Sequence, residues 1–350
     1  FQAEDGIRDC LLSRGLGDVY KRQTLAALSF TFSDSFWFNA VEAEVYAMAT
    51  CIMALLFWLG FKWEEDIDNE RGNKWLVLIS FIVGLSFGVH FMGLLVIPAS
   101  GMIYFFKKQP NPNFKNFLFA NVLSVAILLF IFKLLLPSTL ALFGYLEVFF
   151  VNSLGLPFDS GTIFTAILLI TFFVFFLSYT RKKNLYNTNT FLLCVMFIFI
   201  GFSSWLMIPI RSNANTVINE NSPSDARALL AYYNLEQYPD THLFYGPMFS
   251  DAYAGQDENN PYKDDKPKYE RNEKTQKYFI VNDWESGKIN SNSDHVGLLP
   301  RMWSSENAIN YMTYFGVLDF SIKPEYLLSL IHISEPTRQE AISYAVFCFK

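Results

Sequence analysis

The chain has 350 residues, of which 52% are hydrophobic and 17% are charged, and its formal net charge is −6. Charged residues are scarcer than the roughly 25% of soluble globular proteins, and an acidic chain without a basic surface argues against nucleic acid as a partner. The four cysteines form no CxxC pair, so the sequence predicts neither a disulfide framework nor a cysteine-bound metal ion.

The composition divides the chain into four parts. The sequence is strongly apolar up to residue 210 and polar after it, so we predict a transmembrane domain at residues 24–210 and a water-facing domain at residues 211–328. Residues 1–23 and 329–350 resemble translated sequencing adapter, and we expect an internal fragment of a longer protein between them. A real but irregular tail at each end is the alternative.

The first predicted span, Phe38–Phe61, carries two carboxylates near its start, Glu42 and Glu44. A charge at membrane depth costs roughly 2.5–3.5 kcal/mol, which makes both residues candidates for a general base or for ligands of a metal ion or of sugar hydroxyls. Simple solvation in the headgroup region is the alternative. Residues two positions apart on a regular helix point about 200° apart, so only one can face a pocket, and we predict that it is Glu44.

The apolar run Trp75–Phe106 is too long for one span. As a single helix it would extend over roughly 48 Å, whereas the hydrocarbon core of a membrane is about 30 Å thick. We therefore predict two short helices that meet near Gly88 and His90, and small residues such as Gly84 would let them pack closely. His90 is a candidate substrate-binding residue, and a hydrogen-bonded packing role is the alternative.

The remaining predicted spans are Phe117–Leu136, Thr162–Tyr179 and Phe191–Ile210. Positive charge marks the loops around Lys107 and Arg181 as cytoplasmic, and the loop from Pro137 to Gly161, which has no Lys or Arg, as external. Phe149–Phe158 within that loop predicts an interfacial or re-entrant segment. Glu42 and Glu44 then lie on the outer side with the polar domain, provided that Trp75–Phe106 is two passes.

The polar domain begins with further candidate binding residues. Arg211 follows the last span and suits bidentate binding of a lipid phosphate, with ordinary headgroup anchoring as the alternative. Asn219, Glu220 and Asn221 carry groups that suit sugar hydroxyls, and the same composition suits a capped turn.

A helix is predicted near Pro223–Tyr233, with Ser222 or Ser224 as its cap and Asp225 in its first turn. Further along, Arg301 and Trp303 combine a cation with an indole, as sugar and phosphate sites do, although a plain surface turn has the same composition. The sequence thus predicts a mainly α-helical, multi-pass integral membrane protein of about six spans, with a C-terminal α+β or irregular domain.

Several runs stand in the chain in this order: FWFNAVEAEVYAM, GLSFGVHFMGLLVIPA, FFVNSLGLPFDSG, IRSNANTVINENSP followed by LLAYYNLEQYPDTHLFYGPMF, and LLPRMWS. Together they resemble a bacterial multi-pass membrane family, domain of unknown function 2723, which is common in Bacteroidota. That family is similar to protein O-mannosyltransferases and belongs with the GT-C glycosyltransferases. The resemblance covers residues 24–328.

The resemblance implies a GT-C-like helical bundle in the bacterial inner membrane with a periplasmic C-terminal domain. It implies a polyprenyl-phosphate sugar as donor and a periplasmic protein or glycan as acceptor. Glu44, and less directly Glu42, match the family's Glu-Val-Tyr motif, and Arg211 with Asn219–Asn221 match its outer motif. The acidic first outer loop of GT-C enzymes would precede Thr24, so we expect the chain as given to be inactive.

From these observations we predict a fragment of a membrane glycosyltransferase that acts on lipid-linked sugar and contacts membrane lipid. No cofactor is predicted, and a divalent metal ion is left open, as are the sugar and the acceptor. The alternative is a non-enzymatic transporter or lipid-handling protein in which Glu42, Glu44 and His90 line a pathway. Transporter folds often contain internal repeats, and this sequence shows none.

Overall fold

The computed structural model describes residues 19–42, 44–69, 71–109, 111–214, 216–238, 242, 244–249, 256–257, 259–298, 302 and 304–315. The chain divides after Asn234 into two compact units. The first is helical, and the second contains short strands and a helix.

The first unit is a helical bundle with several interruptions. Its elements are α1 (residues 19–31), α2 (Asp34–Val41), α3 (Tyr46–Asp66), α4 (Asn73–Ser86), a 3-10 turn (Phe91–Leu95), α5 (Val96–Lys108), α6 (Phe114–Leu129), a π-helical segment (Phe130–Leu135), α7 (Leu136–Asn152), α8 (Ser160–Lys182), α9 (Tyr186–Phe202), a second 3-10 turn (Ser203–Leu206), α10 (Met207–Ser212) and α11 (Ala226–Tyr233).

Among the described residues, five helices are long and apolar enough to cross a membrane, and a sixth, Asn73–Ser86, is apolar but shorter. The five are Tyr46–Asp66, Phe91–Lys108, Phe114–Asn152, Ser160–Lys182 and Tyr186–Ser212. Large apolar side chains are exposed along α6 and α8, as expected of helices that face lipid rather than water. The predicted fold class, a mainly α-helical multi-pass membrane protein, is confirmed.

The first span begins later than predicted. The chain leaves the helical conformation after Val41, Glu42 is extended at the C-cap of α2, and α3 begins only at Tyr46. The predicted continuous helix Phe38–Phe61 is therefore wrong. Because Glu42 and Glu44 lie in the link between two helices, the 200° argument for a regular helix does not apply to them.

The division of Trp75–Phe106 into two helices is confirmed. α4 ends at Ser86, the chain turns through Gly88, and His90 has extended backbone before the 3-10 turn that leads into α5. One pair of small residues acts as predicted, since a side chain at Gly93 would meet Ser86 at the end of α4. Gly84 acts differently, because a side chain there would fall on the backbone of Ile198. Gly84 thus allows α4 to pack closely on α9 rather than on α5.

The predicted bounds of the loop from Pro137 to Gly161 are wrong, because the chain stays helical through Asn152 and only residues 153–159 form a loop. Its position on the outer side stays a prediction. The π-helical segment explains why Pro137 does not end the helix. In that segment Leu136 N–H donates to the carbonyl of Ile131, five residues earlier. In the same five-residue pairing, the N–H of residue 137 would donate to the carbonyl of Phe132. Residue 137 is a proline without an N–H, so the Phe132 carbonyl has no backbone donor.

That carbonyl is satisfied from another helix. The Tyr233 hydroxyl donates to the Phe132 oxygen at 3.1 Å, and α11 packs along α7. Asp225, not Ser222 or Ser224, caps α11, since its Oδ1 accepts from the N–H groups of Arg227 and Ala228 at 2.8 and 2.9 Å. The compact unit therefore ends after α11, whereas the predicted domain boundary at residue 210 follows the change in composition.

Aromatic rings fill the region where the bundle helices are interrupted. We call this set the aromatic cluster; its members are Phe87, Phe91, Phe132, Phe202, Trp205, Tyr232 and Tyr233. Trp205 Nε1 donates to the carbonyl of Phe87 at 2.7 Å, where α4 has ended. Here too a side chain from another element satisfies a carbonyl left open by a helix interruption.

The described part of the second unit contains three two-stranded antiparallel pairs and a helix. β1 (Tyr245–Pro247) pairs with β6 (Val296–Leu298), β2 (Tyr262–Lys263) with β5 (Lys288–Ile289), and β3 (Tyr269–Asn272) with β4 (Lys277–Ile280). The helix α12 follows at Ala308–Phe315. This agrees with the predicted α+β or irregular C-terminal domain.

Candidate active site

Glu42 and Glu44 are both exposed. They lie directly before Tyr46, the first residue of α3, and the Tyr46 ring is 5.7 Å from the ring of His90. The structure thus brings the predicted carboxylate segment and the predicted histidine to the same end of the bundle. Both carboxylates precede Tyr46, where the first candidate span begins, so they lie outside that span.

His90 is held in a defined orientation. Its Nδ1 accepts a hydrogen bond from Met92 N–H at 3.1 Å, so that the side chain caps the 3-10 turn. A ring nitrogen that accepts a hydrogen bond carries no proton, and the neutral ring then carries its proton on Nε2. His90 can therefore donate an N–H from Nε2. Its Nδ1 makes the hydrogen bond of the alternative packing role, since it accepts from the backbone of Met92.

The end of the last span reaches the same region. A side chain on Gly88 would meet the hydroxyl of Ser204, and Trp205 bonds to Phe87. The second 3-10 turn continues directly into α10, whose last turn carries the exposed Arg211. The carboxylate segment, His90 and Arg211 thus belong to elements that meet at one end of the bundle, which we call the candidate-site end.

Asn219 makes a reciprocal pair with the end of α10. The Ser212 hydroxyl donates to Asn219 Oδ1 at 3.0 Å, and Asn219 Nδ2 donates to the Ser212 carbonyl at 3.2 Å. Its amide is used to hold the loop, which is a turn role of the kind that the composition also suits. Glu220 is exposed, and Asn221 has a left-handed backbone with φ of 58°. Arg301 and Trp303 lie outside the described residues.

The opposite end of the bundle carries the lysine- and arginine-rich loops, and we call it the charged end. Lys107 Nζ lies 2.9 Å from Glu64 Oε1, and Lys108 pairs with Asp68. Asn73 Nδ2 donates to Thr190 Oγ1 at 3.3 Å, which joins the start of α4 to the start of α9. The loops predicted to share one side of the membrane therefore lie together.

Glu147 is a buried carboxylate that was not among the predicted site residues. Its side chain is fully buried on α7. It accepts hydrogen bonds from Asp159 N–H at 2.6 Å, from Thr162 N–H at 2.8 Å and from the Thr162 hydroxyl at 2.9 Å. The carboxylate thus neutralises the N-terminus of α8, where the backbone N–H groups lack helical partners.

A signal for Glu147 was present in the sequence. It is one carboxylate within the apolar run LFGYLEVFFV, and the cost argument applied to Glu42 and Glu44 applies to it with more force. The second buried charge among the described residues, Arg227, lies on α11 against Gly144, one turn before Glu147. For metal ions, the described residues contain no group of three His, Cys, Asp or Glu side chains that could hold one.

Two family models match the chain. Residues 17–113 match the protein O-mannosyl-transferase TMEM260 N-terminal domain, and residues 239–346 match DUF8416, a family of unknown function. The first match includes Glu42, Glu44 and His90 and supports an O-mannosyltransferase-like family. The second extends past the domain boundary predicted at residue 328. No curated protein and no solved structure matches the chain.

Proposed function

We propose that this chain is part of a bacterial inner-membrane glycosyltransferase of the GT-C class, within the family of domain of unknown function 2723. The enzyme moves a sugar from a polyprenyl-phosphate donor to a hydroxyl of a periplasmic protein or glycan. The observation that carries this proposal is the match of residues 17–113 to an O-mannosyltransferase N-terminal domain, since that segment contains the carboxylates and the histidine. The candidate-site end would face the periplasm, because the charged end has the loops typical of the cytoplasmic side.

The proposed reaction breaks the bond between the sugar's anomeric carbon and the phosphate oxygen. A base accepts the proton of the acceptor hydroxyl, the hydroxyl oxygen bonds to the anomeric carbon, and polyprenyl phosphate leaves with the bonding electrons. Glu44 is the chain's first candidate for that base and Glu42 its second.

Phosphate recognition is the proposed role of Arg211. Negative charge grows on the leaving phosphate during transfer, and a guanidinium that binds two of its oxygens stabilises that charge. Arg211 is exposed at the end of a span, where a lipid-linked phosphate would lie. Glu220 and Asn221 are proposed contacts of the sugar or the acceptor, and Asn219 holds their loop in place. Arg301 and Trp303, which lie outside the described residues, are proposed separately as sugar or phosphate contacts.

The test is sugar transfer by the complete protein, purified in lipid nanodiscs, with radiolabelled polyprenyl-phosphate mannose as the first donor. Loss of a general base typically lowers the rate about 10²- to 10⁴-fold, so Glu44→Gln is expected to reduce kcat. Arg211→Ala is expected to weaken donor binding and also to reduce kcat, because the guanidinium would stabilise charge that grows during transfer. Arg211→Lys keeps the charge without the bidentate geometry and is the matched control. Undiminished transfer by both Glu44→Gln and Arg211→Ala would contradict the residue roles.

His90 allows a sharper test, because its two nitrogens have different roles. His90→Asn retains an oxygen that can cap the 3-10 turn and lacks a donor at the Nε2 position. His90→Gln places an amide N–H farther out and loses the cap. If the Nε2 donor binds substrate, His90→Asn will keep the stability of the wild type but lose transfer. Donor binding without any transfer in the wild type would favour the lipid-handling alternative.

A further inference from the structure

The loop between α10 and α11 carries two adjacent apolar side chains at its tip. Val217 is 103% exposed and Ile218 is 86% exposed, relative to the fully accessible residue. Valine and isoleucine are among the residues most often buried in proteins. A single exposed apolar residue needs no explanation, but two neighbouring ones with almost no protein contact indicate a surface that something else covers.

The loop is tied to the end of the membrane span. Besides the reciprocal pair between Ser212 and Asn219, Asn213 Nδ2 donates to the carbonyls of Pro209 and Ser224, both at 2.8 Å. The Thr216 hydroxyl donates to the Ile218 carbonyl at 3.0 Å. Val217 is two residues from the anchored Asn219, so it lies within about 7 Å of that position.

The place where Asn219 attaches the loop to α10 indicates what covers the loop tip. The candidate span Tyr186–Ser212 ends at Ser212 itself, and its last turns expose Leu206, Met207 and Ile210 as well. Arg211 stands between this apolar surface and the loop. A segment that lies in the membrane interface typically combines an apolar helix end, a cation and an apolar loop tip within a few residues.

We infer that Val217 and Ile218 insert into the lipid bilayer at the candidate-site end and keep Arg211 at the depth of the lipid headgroups. The occupant is bilayer lipid, since the anchored loop starts at the membrane-spanning helix and the exposed surface next to it is already apolar. The loop thereby acts as an interfacial anchor that limits how far the end of α10 moves out of the membrane. This inference depends on the membrane span and not on the proposed reaction.

The experiment measures the depth of the loop tip in a bilayer. Val217→Cys is introduced into the full chain after the native Cys10, Cys51, Cys194 and Cys348 are replaced by serine or alanine, and is labelled with a fluorophore in lipid nanodiscs. Quenching is compared between lipids that carry a doxyl group on the acyl chain and a water-soluble quencher. We expect strong loss of fluorescence with doxyl lipid and weak loss with the soluble quencher.

Two positions calibrate the result. Ile167→Cys lies on the exposed apolar surface of the spanning helix α8, and Lys274→Cys lies in the charged turn between β3 and β4. The Val217 label is expected to show doxyl quenching close to that of the Ile167 label. Quenching by the soluble reagent equal to that of the Lys274 label, without doxyl quenching, would overturn the inference.

The attachment of the loop through Asn219 is tested with Asn219→Ala in the same labelled background. Removal of both Ser212–Asn219 hydrogen bonds frees the tip, and we expect doxyl quenching at Val217 to fall while that at Ile167 is unchanged. Unfolding of the variant would lower quenching at both positions, so the Ile167 label separates the two causes. Unchanged quenching at Val217 would show that the loop is not held at this depth by Asn219.

Discussion

The charged end and the candidate-site end of the bundle are held together by different interactions. At the charged end, Lys107 pairs with Glu64 and Lys108 with Asp68, and the four side chains are between about one third and two thirds exposed. At the candidate-site end, the aromatic cluster packs between helices that are interrupted, and side chains such as Trp205 and Tyr233 donate to carbonyls that the interruptions leave open.

The difference between the two ends shows where irregular backbone is stable in this bundle. An interrupted helix exposes carbonyls that must be satisfied in an environment without water, and this protein meets the requirement with hydroxyl and indole donors from neighbouring helices. The same interruptions give His90 an extended backbone between two helical segments and begin the short helix α10 that carries Arg211. Exposed ion pairs, by contrast, contribute little to stability, so we expect the two ends to respond unequally to substitution.

The largest effect is expected for Glu147→Ala. The change leaves the N–H groups of Asp159 and Thr162 and the Thr162 hydroxyl without their acceptor, and each buried orphan donor costs about 1–3 kcal/mol. We expect the free energy of unfolding to fall by about 3 kcal/mol or more, measured by denaturation in mixed micelles. Glu147→Gln keeps one acceptor oxygen and should lose less, and an equal loss in both variants would contradict the capping role.

The next effect comes from the close approach of α4 and α9. Gly84→Ala places a methyl group on the Ile198 carbonyl, and overpacking of this kind costs about 1–3 kcal/mol. Gly60→Ala is the matched control, since its methyl group would have ordinary contacts with Ser100 and Ile103 at 3.6 and 3.7 Å. It should be neutral or stabilising by up to about 1 kcal/mol. Similar destabilisation by both variants would show that backbone contact is not the reason.

Tyr233→Phe tests the contact between α11 and the π-helical segment. The Phe132 carbonyl loses its donor, and we expect a loss of about 1–2 kcal/mol of unfolding free energy. Tyr232→Phe is the matched control, because the described residues show no hydrogen bond to that hydroxyl. If the two substitutions were equivalent, the ring packing rather than the hydroxyl would hold α11.

The same residue predicts an alkaline pH dependence. Burial raises the pKa of Tyr233 to about 12, whereas an unfolded tyrosine has a pKa near 10. Between about pH 10 and pH 12 the unfolded state has therefore lost a proton that the folded state keeps, so stability falls as the pH rises through this window. This part of the decline should be missing in Tyr233→Phe, when unfolding of the two proteins is compared across the window.

The sequence could predict features that depend on length and composition. The excess length of Trp75–Phe106 correctly indicated two helices. The cytoplasmic side assigned to the Lys- and Arg-rich loops stays a prediction. The interruption after Val41 could not be predicted in this way, because no Gly or Pro marks it. The physical reason for the interruption is the exposure of the Glu42 and Glu44 carboxylates in the link between the helices. This exposure can be recognised only from the structure, in which α3 begins at Tyr46.

Other features depended on contacts between distant parts of the chain. Pro137 is a local signal for the end of a helix, and the π-helical register with the hydroxyl of Tyr233 overrides it from about a hundred residues away. The sequence could have predicted Asp225, rather than Ser222 or Ser224, as the cap of α11. The catalytic and binding roles of Glu44, Glu42, His90 and Arg211 stay predictions, since the structure places these residues at one end without a substrate.

The smallest effect is expected at the charged end, for Lys108→Met. The hydrogen bond and the charge of Lys108 lower the pKa of Asp68 below its ordinary value. A lowered folded-state pKa adds stability above the ordinary carboxyl pKa, and this is lost as the pH falls through the folded-state value. The variant should raise the Asp68 pKa in an NMR titration but leave unfolding at neutral pH almost unchanged, since water and salt screen an exposed pair. Destabilisation as large as that of Tyr233→Phe would mean that ion pairs hold the charged end as firmly as buried hydrogen bonds hold the other, and the contrast between the ends would fail.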